Sequence, residues 1–341
     1  MSKKLEWSFS ALSALRRCNR MYYFQYLAPS HHFTHPFRRK AHELKKSKNL
    51  LMWRGSVVDK IMEIEIMPRI KEQQIIDYNS VADTAVELAK RQFNFSEQKL
   101  YRVKENSESK VGADYCILDI HEANVPYTEE ALAKTYSSIR EIITGIPKIE
   151  MPDGKTMLTD YLAKATFIAP NLRGWHFEFE NVKISPQLDL FMFVENKAVV
   201  LDWKVSESDV SDYSRQLVIG GITVFDTYRR KAVEGTGKRL SFSDIRLLEV
   251  NLFKQSAKEH PFTKQIVDEC IDYIYLNSDD VDMLTEGKPF DQLNIEDFPI
   301  TDKEGTCFFC KFRPLCSNLI TNNNQYDEKT YYNSLPAQQL A

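Results

Sequence analysis

Residues 187–205 read QLDLFMFVENKAVVLDWKV. Leu188, Leu190, Met192 and Val194 alternate with Asp189, Phe191 and Phe193, the period of a half-buried strand. A polar turn, Glu195-Asn196-Lys197, follows, and Ala198 to Leu201 form a short apolar run suited to a buried strand. The pattern predicts a β-hairpin. Its second strand ends in Asp202-Trp203-Lys204, two charges in a strand otherwise fit for a core. Charge is costly to bury unless it is paired or bound to metal. Asp202 and Lys204, two apart, share one strand face, and Asp189 on the partner strand is placed to reach it. An ordinary hairpin with a surface salt bridge accounts for D-x-K alone. An added carboxylate on the preceding strand points to a divalent-cation site of the kind that cuts phosphodiesters.

An Asp thirteen residues ahead of a strand ending in D-x-K resembles the PD-(D/E)XK nuclease superfamily. The resemblance implies an α/β, restriction-endonuclease-like fold: a central mixed sheet flanked by helices. It implies metal-dependent DNA cleavage with Mg2+ or Mn2+ held by Asp189, Asp202 and the Trp203 carbonyl. Lys204 would then act on the attacking water.

Elements on either side extend the likeness. The spacing predicts a helix over residues 8–27, capped by Ser8 or Ser10 and carrying Cys18 among Arg16, Arg17 and Arg20. It resembles the N-terminal helix of RecB/AddB-type nucleases. Residues 28–50, with Pro29, Pro36 and a basic run, read as a loop. A second helix from Met52 to about Met67 contains Gly55 and, four residues on, Asp59. The resembled family carries a metal-binding histidine at that position, so Asp59 either substitutes an oxygen ligand, which suits Mg2+ or Mn2+, or marks a decayed site. Residues 72–147 read as helical, and 156–205 as strands. A helix is expected from about Ser211. In it Gln216 matches a glutamine that contacts substrate in the resembled family, while Gly220 stands where a tyrosine is common. The strand DIRLLEVNLF follows, then helices.

Six cysteines are present, and Cys307, Cys310 and Cys316 form C-x2-C-x5-C. Three clustered thiols need a fourth ligand for zinc or a cubane cluster, and Cys18 is the candidate. One cysteine before the core and three after it resembles the iron-staple branch, with AddB and the CRISPR-adaptation exonucleases. That resemblance implies a 4Fe-4S cluster on Cys18, Cys307, Cys310 and Cys316. It also implies single-stranded DNA or free DNA ends as substrate and a helicase or defence-system protein as partner. Cys116 and Cys270 fit no pattern.

Net charge is −3, which by itself does not mark a nucleic-acid binder, but residues 1–60 hold thirteen Lys/Arg against three Asp/Glu. Residues 265–304 hold twelve Asp/Glu against two Lys. The asymmetry is that of a polyanion-facing side opposite a repelling one, or of two solvated faces. No apolar run approaches the roughly 20 residues of a membrane span. With no secretory h-region at the start, a soluble cytoplasmic protein is expected. No glycine-rich phosphate loop is present, against a fused ATPase. The expected organisation is N-terminal helices and basic loop (1–70), helical insertion (71–155), nuclease core (156–300) and cysteine-rich cap (301–341). A nuclease fold that binds nucleic acid without cutting it is the competing reading, favoured by Asp59, Gly220 and Pro186. A zinc-stapled scaffold explains the cysteines but not the hairpin.

Overall fold

The computed structural model describes residues 5–180, 182–208 and 213–337. They form two compact units, each assembled from separate stretches of chain: residues 1–8, 54–85 and 138–279, and residues 9–53, 86–137 and 280–341.

The first unit is built on the expected hairpin. Strand β5 (Leu188–Val194) pairs antiparallel with β6 (Lys197–Lys204), and Val194 faces Lys197 across a two-residue turn. Glu195 and Asn196 both have positive φ, 50° and 64°. That is the turn whose twist matches the strands it joins, and it makes the loop one residue shorter than the sequence suggests. Around the hairpin a five-stranded sheet runs β2–β5–β6–β7–β8, adding β2 (Ala165–Leu172), β7 (Ile245–Asn251) and β8 (Ser256–His260). All neighbours are antiparallel except β6 and β7, so the sheet is mixed. β6 is central and buried from Ala198 to Trp203, as a strand covered on both faces must be. A second sheet joins β1 (Leu5–Trp7), β4 (Val182–Ile184) and β3 (Phe177–Phe179).

The helix Ser214–Val233 lies on the hairpin. The expected start near Ser211 falls outside the described residues. Gly220 makes the contact close: a Cβ there would stand 3.0 Å from Leu188 Cδ2 and 3.1 Å from Val200 Cγ1. A side chain there would crowd Leu188 and Val200, which gives the glycine a packing reason.

Two local expectations change. Residues 158–163, read as strand, form a helix whose Leu158, Tyr161 and Leu162 are buried. β8 replaces part of an expected helix, and its polar sequence reflects an exposed edge strand.

In the second unit, the predicted helix of residues 8–27 is broken. It runs Phe9–Arg17, stops at Cys18, whose backbone is extended, and resumes at Asn19. The basic stretch expected as a loop contains the helix Pro36–Lys46, started by proline at its first position. Its Arg39, Lys40 and Glu43 are buried. Lys40 bonds Glu122, Glu43 (2.8 Å) and the Tyr332 hydroxyl (2.7 Å). Glu122 also accepts from Tyr101 and Arg102, each at 2.7 Å. Those partners hold Glu122 ionised despite complete burial, Lys40 foremost. Arg39 and Lys40 are therefore structural charges, removed from the basic surface that the composition suggests. No described helix is long and apolar enough to cross a membrane.

Candidate active site

Pairing register sets the site. Leu190 and Leu201 are the last registered pair of the hairpin, and continuing that register outward brings Asp189 opposite Asp202. Asn171 lies between the registered pairs Pro170–Leu190 and Leu172–Leu188, and so faces Asp189 from β2. Asp202 faces Glu249 on β7, and Glu249 faces Lys258 on β8. Directly paired residues share a sheet face. One row of polar side chains therefore crosses all five strands.

The middle of the row is closely bonded. Asp189 Oδ2 accepts the Trp203 backbone N–H at 3.0 Å. Lys204 Nζ is ion-paired with Asp202 Oδ2. Gln216, in the first turn of the Ser214–Val233 helix, donates from Nε2 to Asp202 Oδ1 at 3.1 Å. It accepts from Lys204 Nζ at 3.5 Å. Asp202, Lys204 and Gln216 thus form a closed triangle. Tyr213 completes it, its ring centroid 4.0 Å from Lys204 Nζ.

Electrostatics follow from burial and crowding. Asp189 is raised to about 7, first by burial, then by the charges of Asp202 and Asp59. Asp202, only 6% exposed, is raised by burial, with Lys204 opposing and Glu249 adding to the rise. The fit to a divalent cation is one of chemistry: hard oxygen donors whose mutual repulsion a cation would relieve. Asp59, Asp189 and Trp203 line one cavity of about 180 Å³. Among the described residues no three His, Cys, Asp or Glu side chains are arranged to hold a metal ion. Asp189 and Asp202 are turned toward the Trp203 amide, Gln216 and Lys204.

Two neighbours escaped the sequence reading. Glu249 bonds His260 at 2.9 Å, and its place beside Asp202 depends on a parallel pairing that no local pattern reveals. Tyr213 puts an aromatic ring on the site from ahead of Gln216, where the resemblance places one after it. Glu178 lies on β3 of the small sheet, outside the row.

The four expected cysteines come together in the second unit. Cys18, Cys307, Cys310 and Cys316 all line a cavity of about 150 Å³ that is otherwise largely apolar, while Cys116 and Cys270 do not. Burial is the main cause that lifts the Cys316 thiol to about 11, and the other three cysteines act on it electrostatically. Arg20, 7% exposed, lines the same cavity. Its Nε donates to the Phe298 carbonyl at 2.7 Å, and its Nη1 has no hydrogen-bond partner among the described residues. An unsatisfied buried guanidinium nitrogen beside four thiols fits an anionic thiolate-bound group.

A mixed sheet flanked by helices, with a carboxylate and a lysine at the end of its central strand and a second carboxylate on the neighbouring strand, is the architecture of a nuclease fold. The sequence matches the PD-(D/E)XK nuclease superfamily over residues 6–317, and the chain belongs to that superfamily. No curated protein matches it.

Proposed function

We propose that this protein is a metal-dependent deoxyribonuclease that degrades DNA from single-stranded ends, in recombination, repair or antiviral defence. The observation that carries the reading is the triangle of Asp202, Lys204 and Gln216 with Asp189 bonded alongside it. Mg2+ or Mn2+, held by Asp189, Asp202, Asp59 and the Trp203 carbonyl, would neutralise the scissile phosphate and acidify its bound water. Lys204, steadied by Gln216 and the Tyr213 ring, orients the attacking water and offsets charge as it develops on the phosphate. Gln216 holds Asp202 in its rotamer.

The four cysteines support a 4Fe-4S cluster of RecB/AddB type, held by Cys18, Cys307, Cys310 and Cys316 as a staple. Arg20 supplies positive charge beside it. A helicase or defence-system protein is the partner such a nuclease would serve in the cytoplasm.

The test is incubation of anaerobically purified protein with end-labelled single- and double-stranded DNA, with Mg2+, Mn2+ or chelator. Metal-dependent shortening of single strands is expected. A second reading, a non-cutting DNA-binding subunit, is favoured by Asp59 at the family's histidine position. Retention of labelled DNA without any cleavage would select it.

A further inference from the structure

The cavity beside Asp189 is lined by more than carboxylates. Met62, Met67 and Pro170 form apolar walls, and Asn171 and Gln187 form a neutral polar edge. We infer that this cavity is a pocket for one unpaired nucleobase next to the scissile phosphate. The inference rests on the nuclease reading above and adds the form of its substrate.

Charge decides which part of a DNA strand could enter. Asp59 and Asp189 are the groups assigned to the cation, which draws the scissile phosphate; the other charged lining, Glu63 paired with Lys60 at 2.7 Å, offers no free positive charge to a second phosphate. A neutral planar heterocycle needs no such charge. Thioethers and a proline ring offer it polarisable flat contact. The size is on the scale of a single base: with roughly 30 Å³ per water, about 180 Å³ has the room of about six waters.

The polar edge is held in place. Gln187 Nε2 donates to Asn171 Oδ1. Asn171 in turn hydrogen-bonds Glu63, which Lys60 holds. Asn171 has φ 52°, a left-handed conformation that asparagine tolerates better than most residues, near the end of β2. The chain of contacts fixes the Gln187 amide and leaves one N–H and its carbonyl oxygen outside the bond to Asn171. A donor beside an acceptor is the pairing that reads a base edge. Duplex DNA keeps its bases stacked and paired, so such a pocket favours single strands or flipped end bases.

The experiment walks an abasic tetrahydrofuran residue through an end-labelled single strand. Cleavage by the wild type is read as kcat/KM, and binding to Lys204→Ala protein is read by anisotropy. Stacking and edge contacts of one base predict about a tenfold loss at one position adjoining the cut, in both readings. Gln187→Ala and Met67→Ala, checked for folding by circular dichroism, are expected to erase that positional loss. A flat scan in both readings overturns the pocket, as does a positional loss that both variants retain. If the wild type cuts nothing, the nuclease reading falls, and the binding scan alone decides for or against the pocket.

Discussion

Asp189 Oδ2 accepts the backbone N–H of Trp203 at 3.0 Å, so the first carboxylate of the hairpin is bonded to the strand that carries the second. The bond lies just past the last registered pair of the β5–β6 ladder, Leu190–Leu201. It fixes Asp189 while leaving its charge crowded by Asp202 and Asp59.

That crowding makes metal-free stability depend on pH. The folded carboxyl titrates near 7, against about 3.9 when unfolded. Between those values the native state binds more protons than the unfolded state, so stability falls as pH rises through the window. The stabilisation is fully present below pH 4 and lost above 7. Thermal melting of chelated protein should show this group's decline between pH 5 and 7.5. Asp189→Asn should flatten it and melt higher than wild type at pH 7.5. A variant that melts lower at that pH would mean the carboxylate is not electrostatically burdened.

Asp202→Ala and Lys204→Ala should each abolish detectable cleavage, with losses of about 10²-fold or more. Both variants should keep the wild-type circular dichroism, because the strand end depends on the β6 core and not on the pair. Near wild-type activity in either would show that the chemistry lies elsewhere.

The hairpin was legible because its signals are local: alternation, a polar turn, and charges ending an apolar run. What escaped the sequence is non-local. Lys40 reads as one more basic residue until Glu122, 82 positions away, is placed on it. Glu249 joins the polar row only through the β6–β7 register. β8 carries a polar sequence with little apolar periodicity, since most of its residues face solvent. The helix at residues 158–163 is too short to show a helical period. For the cysteines, spacing grouped Cys307, Cys310 and Cys316 and the resemblance added Cys18, but the break in the helix at Cys18 was not readable.

Gly220 is expected to be a packing residue. Since a bare Cβ would already stand 3.0 Å from Leu188, Gly220→Tyr should strongly destabilise the helix against the hairpin. The expected readout is a fall in melting temperature of about 2 °C or more, since overpacking costs at least about 1 kcal/mol. A stable variant with raised nuclease activity would mark Gly220 as a worn functional position.

Asp59 contributes charge to Asp189 and lines the same cavity. Asp59→His should retain cleavage and shift metal preference toward Mn2+, imidazole being the softer ligand. Titration of activity with each metal measures the shift. Unchanged metal dependence in Asp59→Ala would remove Asp59 from the ligand set.

The cysteines allow the sharpest test of the second unit. Cys18, Cys307, Cys310 and Cys316 line one cavity, and Arg20 brings an unsatisfied Nη1 to its wall. Four thiolates suit zinc or a 4Fe-4S cluster. Zinc ribbons commonly pair two C-x-x-C units, whereas this chain has one such unit and a distant Cys18. Anaerobic protein should be brown, with broad visible absorbance that bleaches in air, and should hold about four irons per chain. Cys18→Ser should lose iron and solubility together. Binding energy at such a site is folding energy, and the ligand lost is the only one from the N-terminal helix segment. The Arg20 N–H to the Pro299 carbonyl at 3.3 Å, Arg20 Nε to the Phe298 carbonyl at 2.7 Å and Lys303 Nζ to the Arg16 carbonyl at 2.8 Å are among the hydrogen bonds that would remain. Cys116→Ser and Cys270→Ser should leave iron unchanged, because neither lines the cavity. Colourless protein with one zinc per chain would exclude the cluster and leave the nuclease site untouched, since Asp189, Asp202, Lys204 and Gln216 belong to the other unit.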